Sequence, residues 1–322
     1  MSRLTFEGVT YTRDAGESVL DCLRRHGVAV SHGCKAGICQ SCLMRSEDSP
    51  PPVAAQKGLP ENLRESGHFL ACMCHPEGDF AATTEGPASI RLPARVVAID
   101  KLSPTIARLR LEHDAPFGYR PGQFLNLYRE DGLVRSYSIA SIPQQERFVE
   151  LHVRRIDHGR MSGWIHDELK PGQWVDTGQP SGDCFYRDAT PDQPLLLIGT
   201  GCGLAPLYGV VRDALRRGHE APVWLYHGSS ERDGLYLMDE LRALEREYLN
   251  FHYVPCLSRG EIAQGVASGR ADEAALDRHR DLRDWRVYLC GHPEMVAKTR
   301  KMAFLSGAAL AAIHADPFVL TH

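Results

Sequence analysis

The stretch SHGCKAGICQSC, residues 31–42, places the tightest limit on how this chain folds. It gathers Cys34, Cys39 and Cys42 with Gly33 and Gly37, and such a cluster is a metal clamp, a disulfide staple or a small apolar loop rich in sulfur. Six of the ten cysteines fall in the first 80 residues, at 22, 34, 39, 42, 72 and 74; Cys184, Cys202, Cys256 and Cys290 are scattered. The opening MSRLTFEGVTYTRD lacks a basic-then-apolar secretion pattern, and no apolar run reaches bilayer length, so a cytoplasmic protein is expected. Thiols stay reduced there, which favours metal binding or catalysis over a disulfide.

The spacing C-x4-C-x2-C, with Cys72 or Cys74 as a later fourth thiol, is that of plant-type [2Fe–2S] ligands. Four thiolates around two irons put negative charge on sulfur in a low-dielectric pocket. Backbone N–H groups must therefore point at the sulfurs, which requires a sharply turning loop; Gly33 and Gly37 permit it, and Ala36 and Ser41 leave room. A zinc site usually presents two C-x2-C pairs, and only one is present here. Cys22 and Cys74 read as small buried hydrophobes.

The rest of the chain falls into two further rhythms. The first segment ends near TEGPASIRLP, 84–93, where Gly, Pro and small residues interrupt the pattern. Within it LTFEGVTYT alternates as a strand, and ESVLDCLRRHG is a short helix stopped by Gly27. From about 94 to 188, short alternating runs are separated by turns such as YRPGQ, EDG and KPGQ, as in an antiparallel barrel, with one helix around MSGWIHDEL. Beyond it, PLLLIG, VWLYHG, FHYVPCLS and RVYLCG alternate with helical patterns, giving a doubly wound parallel sheet. The expected domains are 1–88, 93–188 and 190–322, an α+β unit followed by a β-barrel and an α/β unit. A net charge of −4 without a long basic run argues against nucleic acid as a partner, and no membrane partner is expected.

Two further motifs carry chemistry. In RSYS, 135–138, Arg135 suits a phosphate, Tyr137 a planar ring and Ser138 a ring nitrogen. HVRRIDHGRMSGW then places Ser162 at a helix start, ready for a pyrophosphate. LLLIGTGCGLAP joins a strand to a helix through a glycine turn, where backbone N–H groups and the helix dipole suit a diphosphate. The histidines show no metal-ligand spacing and read as surface or packing residues.

In CKAGICQSC and FLACMC the chain resembles the β-grasp module of plant-type [2Fe–2S] ferredoxins, whose strand L-x-C selects Cys72 as fourth ligand. Lys35 stands where that pattern has Arg, and Gln40 where it has Gly. RSYS and the phosphate loop resemble the ferredoxin–NADP reductase superfamily. The resemblance implies that Arg135 holds flavin phosphates, Tyr137 stacks on the isoalloxazine, Ser138 reaches N5, and Val153, Arg154, Met161 and Ser162 line the phosphate path. GQPSGDCF resembles the family's G-P-x-G-x-F strand end with extra residues. GTGCGLAP, through Gly199, Thr200, Gly201, Gly203 and Pro206, resembles the nicotinamide-nucleotide loop. YLCGHPEMV resembles C-G-x-P-x-M-V, which puts Cys290 and Gly291 beside the nicotinamide, and IHADPF resembles the family's closing segment, whose flavin-covering aromatic implies that role for Phe318.

The motifs occur in the order of the three-part reductase components of bacterial ring-hydroxylating dioxygenases and multicomponent monooxygenases. The resemblance implies an oxidoreductase with FAD and a [2Fe–2S] cluster, using NADH (NADPH being open) and passing electrons to a terminal oxygenase or other one-electron acceptor protein. A nicotinamide delivers two electrons as hydride and a cluster accepts one, so a flavin must stand between them. The hydride site is expected near Ser138 and Cys290. Rival readings are the same chemistry serving deoxysugar biosynthesis, and a redox-sensing protein that does not turn over.

Overall fold

The computed structural model describes residues 2–84, 90–187 and 191–319. The first sheet is mixed: β1 (Ser2–Phe6), β2 (Val9–Arg13), β3 (Leu43–Ser46), β4 (His68–Leu70) and β5 (Phe80–Thr83), in the order β2-β1-β5-β3-β4. The run LTFEGVTYT, expected as one strand, is a hairpin. Glu7 and Gly8 both take positive φ, 50° and 77°, as a two-residue turn between right-twisted strands requires. Helix α1 (Val19–Arg25) opens at Ser18, whose hydroxyl accepts the Asp21 N–H, and it buries Val19, Leu20, Cys22 and Leu23 on the sheet. Helix α2 (Glu61–Glu65) is a single short turn below β4. This is the expected β-grasp, with the cysteine loop between α1 and β3.

The second sheet is antiparallel throughout: β6 (Leu92–Ser103), β7 (Ile106–His113), β8 (Phe124–Tyr128), β9 (Val134–Ser138), β10 (Val149–Arg154) and β11 (Trp174–Thr177). It runs β10-β7-β6-β11-β8-β9, and a bridge from Ile139 to Leu151 joins its outer strands, closing the barrel around Val96, Leu109, Leu111, Leu127 and Leu151. Helix α3 (Arg160–Asp167) follows β10.

The third sheet is parallel throughout: β12 (Leu195–Thr200), β13 (Val223–Ser229), β14 (Phe251–Leu257), β15 (Ala267–Ser268), β16 (Arg286–Gly291) and β17 (Ile313–Pro317), ordered β15-β14-β13-β12-β16-β17. Helices α4 (Leu204–Arg216), α5 (Met238–Glu247), α6 (Ala271–Arg278) and α7 (Pro293–Leu305) link its strands, with a separate apolar core on each face. The order reverses between β12 and β16, the position where doubly wound sheets bind ligands. Helix α4 lies against the barrel at Gly209, where a Cβ would stand 3.1 Å from both the Gly122 nitrogen and the Ile139 carbonyl oxygen.

The expected linker 84–93 and the expected boundaries at 88, 188 and 190 fall wholly or partly on residues outside those described. Among the described residues no helix is long and apolar enough to cross a membrane.

Candidate functional site

The cysteine loop is built to stabilise charge on sulfur. Cys34 Sγ accepts the backbone N–H groups of Ala36, Ile38 and Cys39, each at 3.3 Å. Cys39 Sγ accepts the Cys34 N–H at 3.3 Å and lies 3.0 Å from Ser41 Oγ. The hydrogen bond with Cys34, helped by Ser41 and the Cys34 N–H, draws the Cys39 thiol down to about 5. The thiols pair as Cys34 with Cys39 and Cys42 with Cys72. All ten cysteines are free, and no three His, Cys, Asp or Glu side chains among the described residues gather about one point. Two thiol pairs suit two irons and do not suit a single tetrahedral zinc. Cys74 lies in the core with its thiol pushed up to about 12 by burial, away from this pairing.

The two departures from the ferredoxin pattern differ in their cost, since only the one at position 40 replaces a glycine. Lys35 and Gln40 both occupy the left-handed region, with φ of 51° and 54°. A Gly at position 40 would take that conformation freely; Gln40 takes it under strain.

Beside the loop a cleft encloses about 1200 Å³, its open mouth included, and its walls come from all three sheets. The cluster loop contributes Gly33, Cys34, Ile38 and Cys39; strand β9 contributes Arg135, Ser136, Tyr137 and Ser138. Arg154, Gly159, Arg160, Met161 and Ser162 line it from the end of β10 and the start of α3, and Cys202, Ala205, Asp316 and Phe318 from the third sheet. Arg135 keeps its charge in a partly desolvated setting, and burial pushes the Tyr137 hydroxyl up. Three guanidiniums beside a helix start with no side-chain cap form an anion-binding wall. The Ser162 hydroxyl itself accepts the Ile156 N–H at 3.1 Å and closes the loop, so the anion-facing groups there are backbone amides. Val153 is in the barrel core, its carbonyl accepting from His166 Nε2 at 2.9 Å, and its side chain stays out of the cleft. This wall carries the groups a flavin dinucleotide needs: guanidiniums for its phosphates, a flat aromatic for its ring and the Ser138 hydroxyl.

The nucleotide side is knitted backbone to backbone. A Cβ on Gly203 would stand 2.3 Å from the Cys290 carbonyl oxygen, and one on Gly291, at φ 120°, would stand 2.4 Å from Thr200 Oγ1. Thr200 Oγ1 accepts the His292 N–H at 3.0 Å. Buried His227, held neutral with its pKa lowered to about 4 by desolvation, donates from Nε2 to the Gly201 carbonyl at 3.2 Å. Gly199, Thr200, Gly201, Gly203 and Pro206 therefore shape the turn without lining the cleft. Cys290 is fully buried, its Sγ 3.3 Å from Cys184 Sγ, and its thiol does not face the cleft either. Phe318 does reach it, its N–H donating to the Gly291 carbonyl at 2.7 Å.

Two cleft residues escape the sequence reading. Asp316 Oδ2 accepts from Ser138 Oγ at 3.2 Å, and desolvation lifts this carboxyl to about 6, against the lowering effect of that bond. His152, expected as a packing histidine, joins Glu150 Oε1 and Tyr236 Oη, each at 3.0 Å, across the barrel and the third sheet. A carboxylate in a strand-end segment carries no motif of its own; only its fold-imposed position beside Ser138 gives it meaning.

Residues 4–77 match the 2Fe-2S iron-sulfur cluster binding domain, 93–186 the oxidoreductase FAD-binding domain and 197–301 the oxidoreductase NAD-binding domain. The chain is 30% identical over 310 residues, 94% of each chain, to the ferredoxin–NAD(P)+ reductase component of the naphthalene 1,2-dioxygenase system of Pseudomonas putida. It belongs to the three-domain ferredoxin–NAD(P)+ reductases. This reductase is also 30% identical over 303 residues to the phenol hydroxylase P5 protein of Acinetobacter pittii, covering 90% of this chain and 86% of the relative. The crystal structure of Amycolatopsis cytochrome P450 reductase superposes with a TM-score of 0.71 at 29% identity, over 99% of both chains. The reductase is an NAD(P)H-dependent oxidoreductase that uses FAD and a [2Fe–2S] cluster.

Proposed function

We propose that this reductase takes hydride from NADH and delivers single electrons to an oxygenase component. One observation supports the reading above others: a single cleft is walled by the cysteine loop, the RSYS strand and the C-terminal strand end. A flavin bound here would supply the chemistry that turns a two-electron donor into a source of single electrons. Cys34, Cys39, Cys42 and Cys72 would hold the cluster. Arg135, Arg154 and the first amides of α3, at Met161 and Ser162, hold the flavin diphosphate, and Tyr137 packs on the ring. Val153 is left out of this set, because its side chain is in the barrel core and its carbonyl is taken by His166.

Ser138 and Asp316 handle the proton. Oxidation of NADH by two one-electron acceptors releases one proton per turnover, and Asp316, ionised above about pH 6, accepts it through the Ser138 hydroxyl. Gly199, Thr200, Gly201, Gly203, Pro206 and Gly291 shape the nicotinamide nucleotide turn, Phe318 covers the ring site, and Cys290 supports the strand end beneath it. The three units follow the boundaries 1–88, 93–188 and 190–322. NADH over NADPH is favoured by Glu231 after β13, an acceptor suited to a free ribose hydroxyl. The oxygenase partner follows from the naphthalene 1,2-dioxygenase system of the relative.

Anaerobic NADH titration tests the reading: flavin and cluster bands bleach in turn, and cytochrome c is then reduced steadily. Loaded protein that fails to reduce cytochrome c, or that prefers NADPH, contradicts the corresponding part. Co-purification with a terminal oxygenase tests the partner.

A further inference from the structure

An oriented amide joins the cluster loop to the barrel. Asn126 on β8 pairs with Ser136 on β9, the residue between Arg135 and Tyr137. Ser136 Oγ donates to Asn126 Oδ1 at 2.7 Å, which turns the amide so that Nδ2 donates to the Cys39 carbonyl at 3.2 Å. The loop lies close here: a Cβ on Gly33 would stand 3.7 Å from the Val134 carbonyl oxygen of β9. A second tether flanks the first, with Arg91 3.5 Å over the Tyr128 ring and donating to Ser31 Oγ at 3.1 Å. The strand of the flavin wall is thus joined through two hydrogen bonds to the main chain of a cluster cysteine.

We propose that Asn126 is a positioning residue for electron transfer from flavin to cluster: oriented by Ser136, its amide holds the Cys39 carbonyl and fixes the cluster loop on the barrel. The inference rests on the reductase reading above. Its chemical core is a donor that cannot be reversed. Asn126→Asp keeps the size and places an acceptor against the Cys39 carbonyl, so attraction becomes repulsion. Ser136→Ala keeps the donor and frees its orientation, a smaller loss.

Anaerobic stopped-flow mixing of the holoenzyme with NADH, with freeze-quench EPR of the reduced cluster, tests this. In Asn126→Asp the flavin is reduced at the wild-type rate and NADH–ferricyanide turnover is unchanged, while cluster reduction slows about tenfold as the loop loses its fixed place on the barrel. Ser136→Ala slows it less, and iron content and the EPR line shape stay those of the wild type. Unchanged cluster reduction in Asn126→Asp overturns the proposal. So does loss of iron from both variants, which makes Asn126 a support for cluster assembly. Failure of NADH to reduce the cluster in the wild-type protein instead overturns the functional reading.

Discussion

The cluster loop and the carboxyl edge of the parallel sheet solve the same problem, close approach of polar groups, over very different distances along the chain. In the loop, sulfurs and the N–H groups that face them are at most five residues apart. At the sheet edge the deciding pairs are Thr200 with His292, Cys184 with Cys290 and Ser138 with Asp316, separated by 92, 106 and 178 residues. Local geometry is written in local spacing; the far contacts exist only after the sheets have formed and docked.

The sharpest break between the regions is Cys42→Ser. It removes one thiolate and should abolish cytochrome c reduction, while NADH–ferricyanide turnover through the flavin survives. Equal loss of both activities would mean that the two regions do not act in series. Asp316→Asn should give the opposite pattern, lowering ferricyanide and cytochrome c turnover together by about a hundredfold. In the wild type, activity should fall as pH drops below about 6 and Asp316 takes up a proton, and the variant should lose that limb.

Asp316 also bears on stability. Its folded-state value of about 6 lies above the ordinary 3.8, so the folded chain binds this proton more tightly. The stability linked to it is full below pH 3.8 and is lost as pH rises through about 6. At pH 7.5 Asp316→Asn should therefore gain about 3 kcal/mol, read by thermal unfolding, despite its lost activity. Gly203→Ala forces a methyl against the Cys290 carbonyl and should destabilise the third sheet by about 1–3 kcal/mol, with a raised KM for NADH. The smallest effect belongs to the loop. Gln40→Gly should relieve left-handed strain by about 1 kcal/mol, read as a later thermal loss of the cluster bands.

The same contrast explains what the sequence disclosed. The clustered thiols at 34, 39 and 42, the RSYS strand and the glycine turn stood out because each packs its residues into a few neighbouring positions, whereas the choice of Cys72 over Cys74 needed the resemblance. The β-grasp hairpin was read as one strand because Glu7, not a glycine, opens its turn. Val153 came with the resembled phosphate path, and a motif carried over by resemblance does not say which side of a closed barrel each of its side chains faces. Asp316 and Asn126 were silent because each depends on a partner supplied by another sheet or by a loop far along the chain. Gln40, an unexplained departure in the sequence, became a backbone conformation held under strain.

The glycine contact between α4 and the barrel has a consequence for modularity. Where a Cβ would stand 3.1 Å from two backbone atoms, the surfaces cannot slide, so barrel and parallel sheet form one chassis. The ferredoxin unit meets that chassis through side chains, Asn126 and Arg91 among them. A joint made of side chains can be altered one residue at a time without disturbing the backbone of either unit, which the glycine contact does not allow.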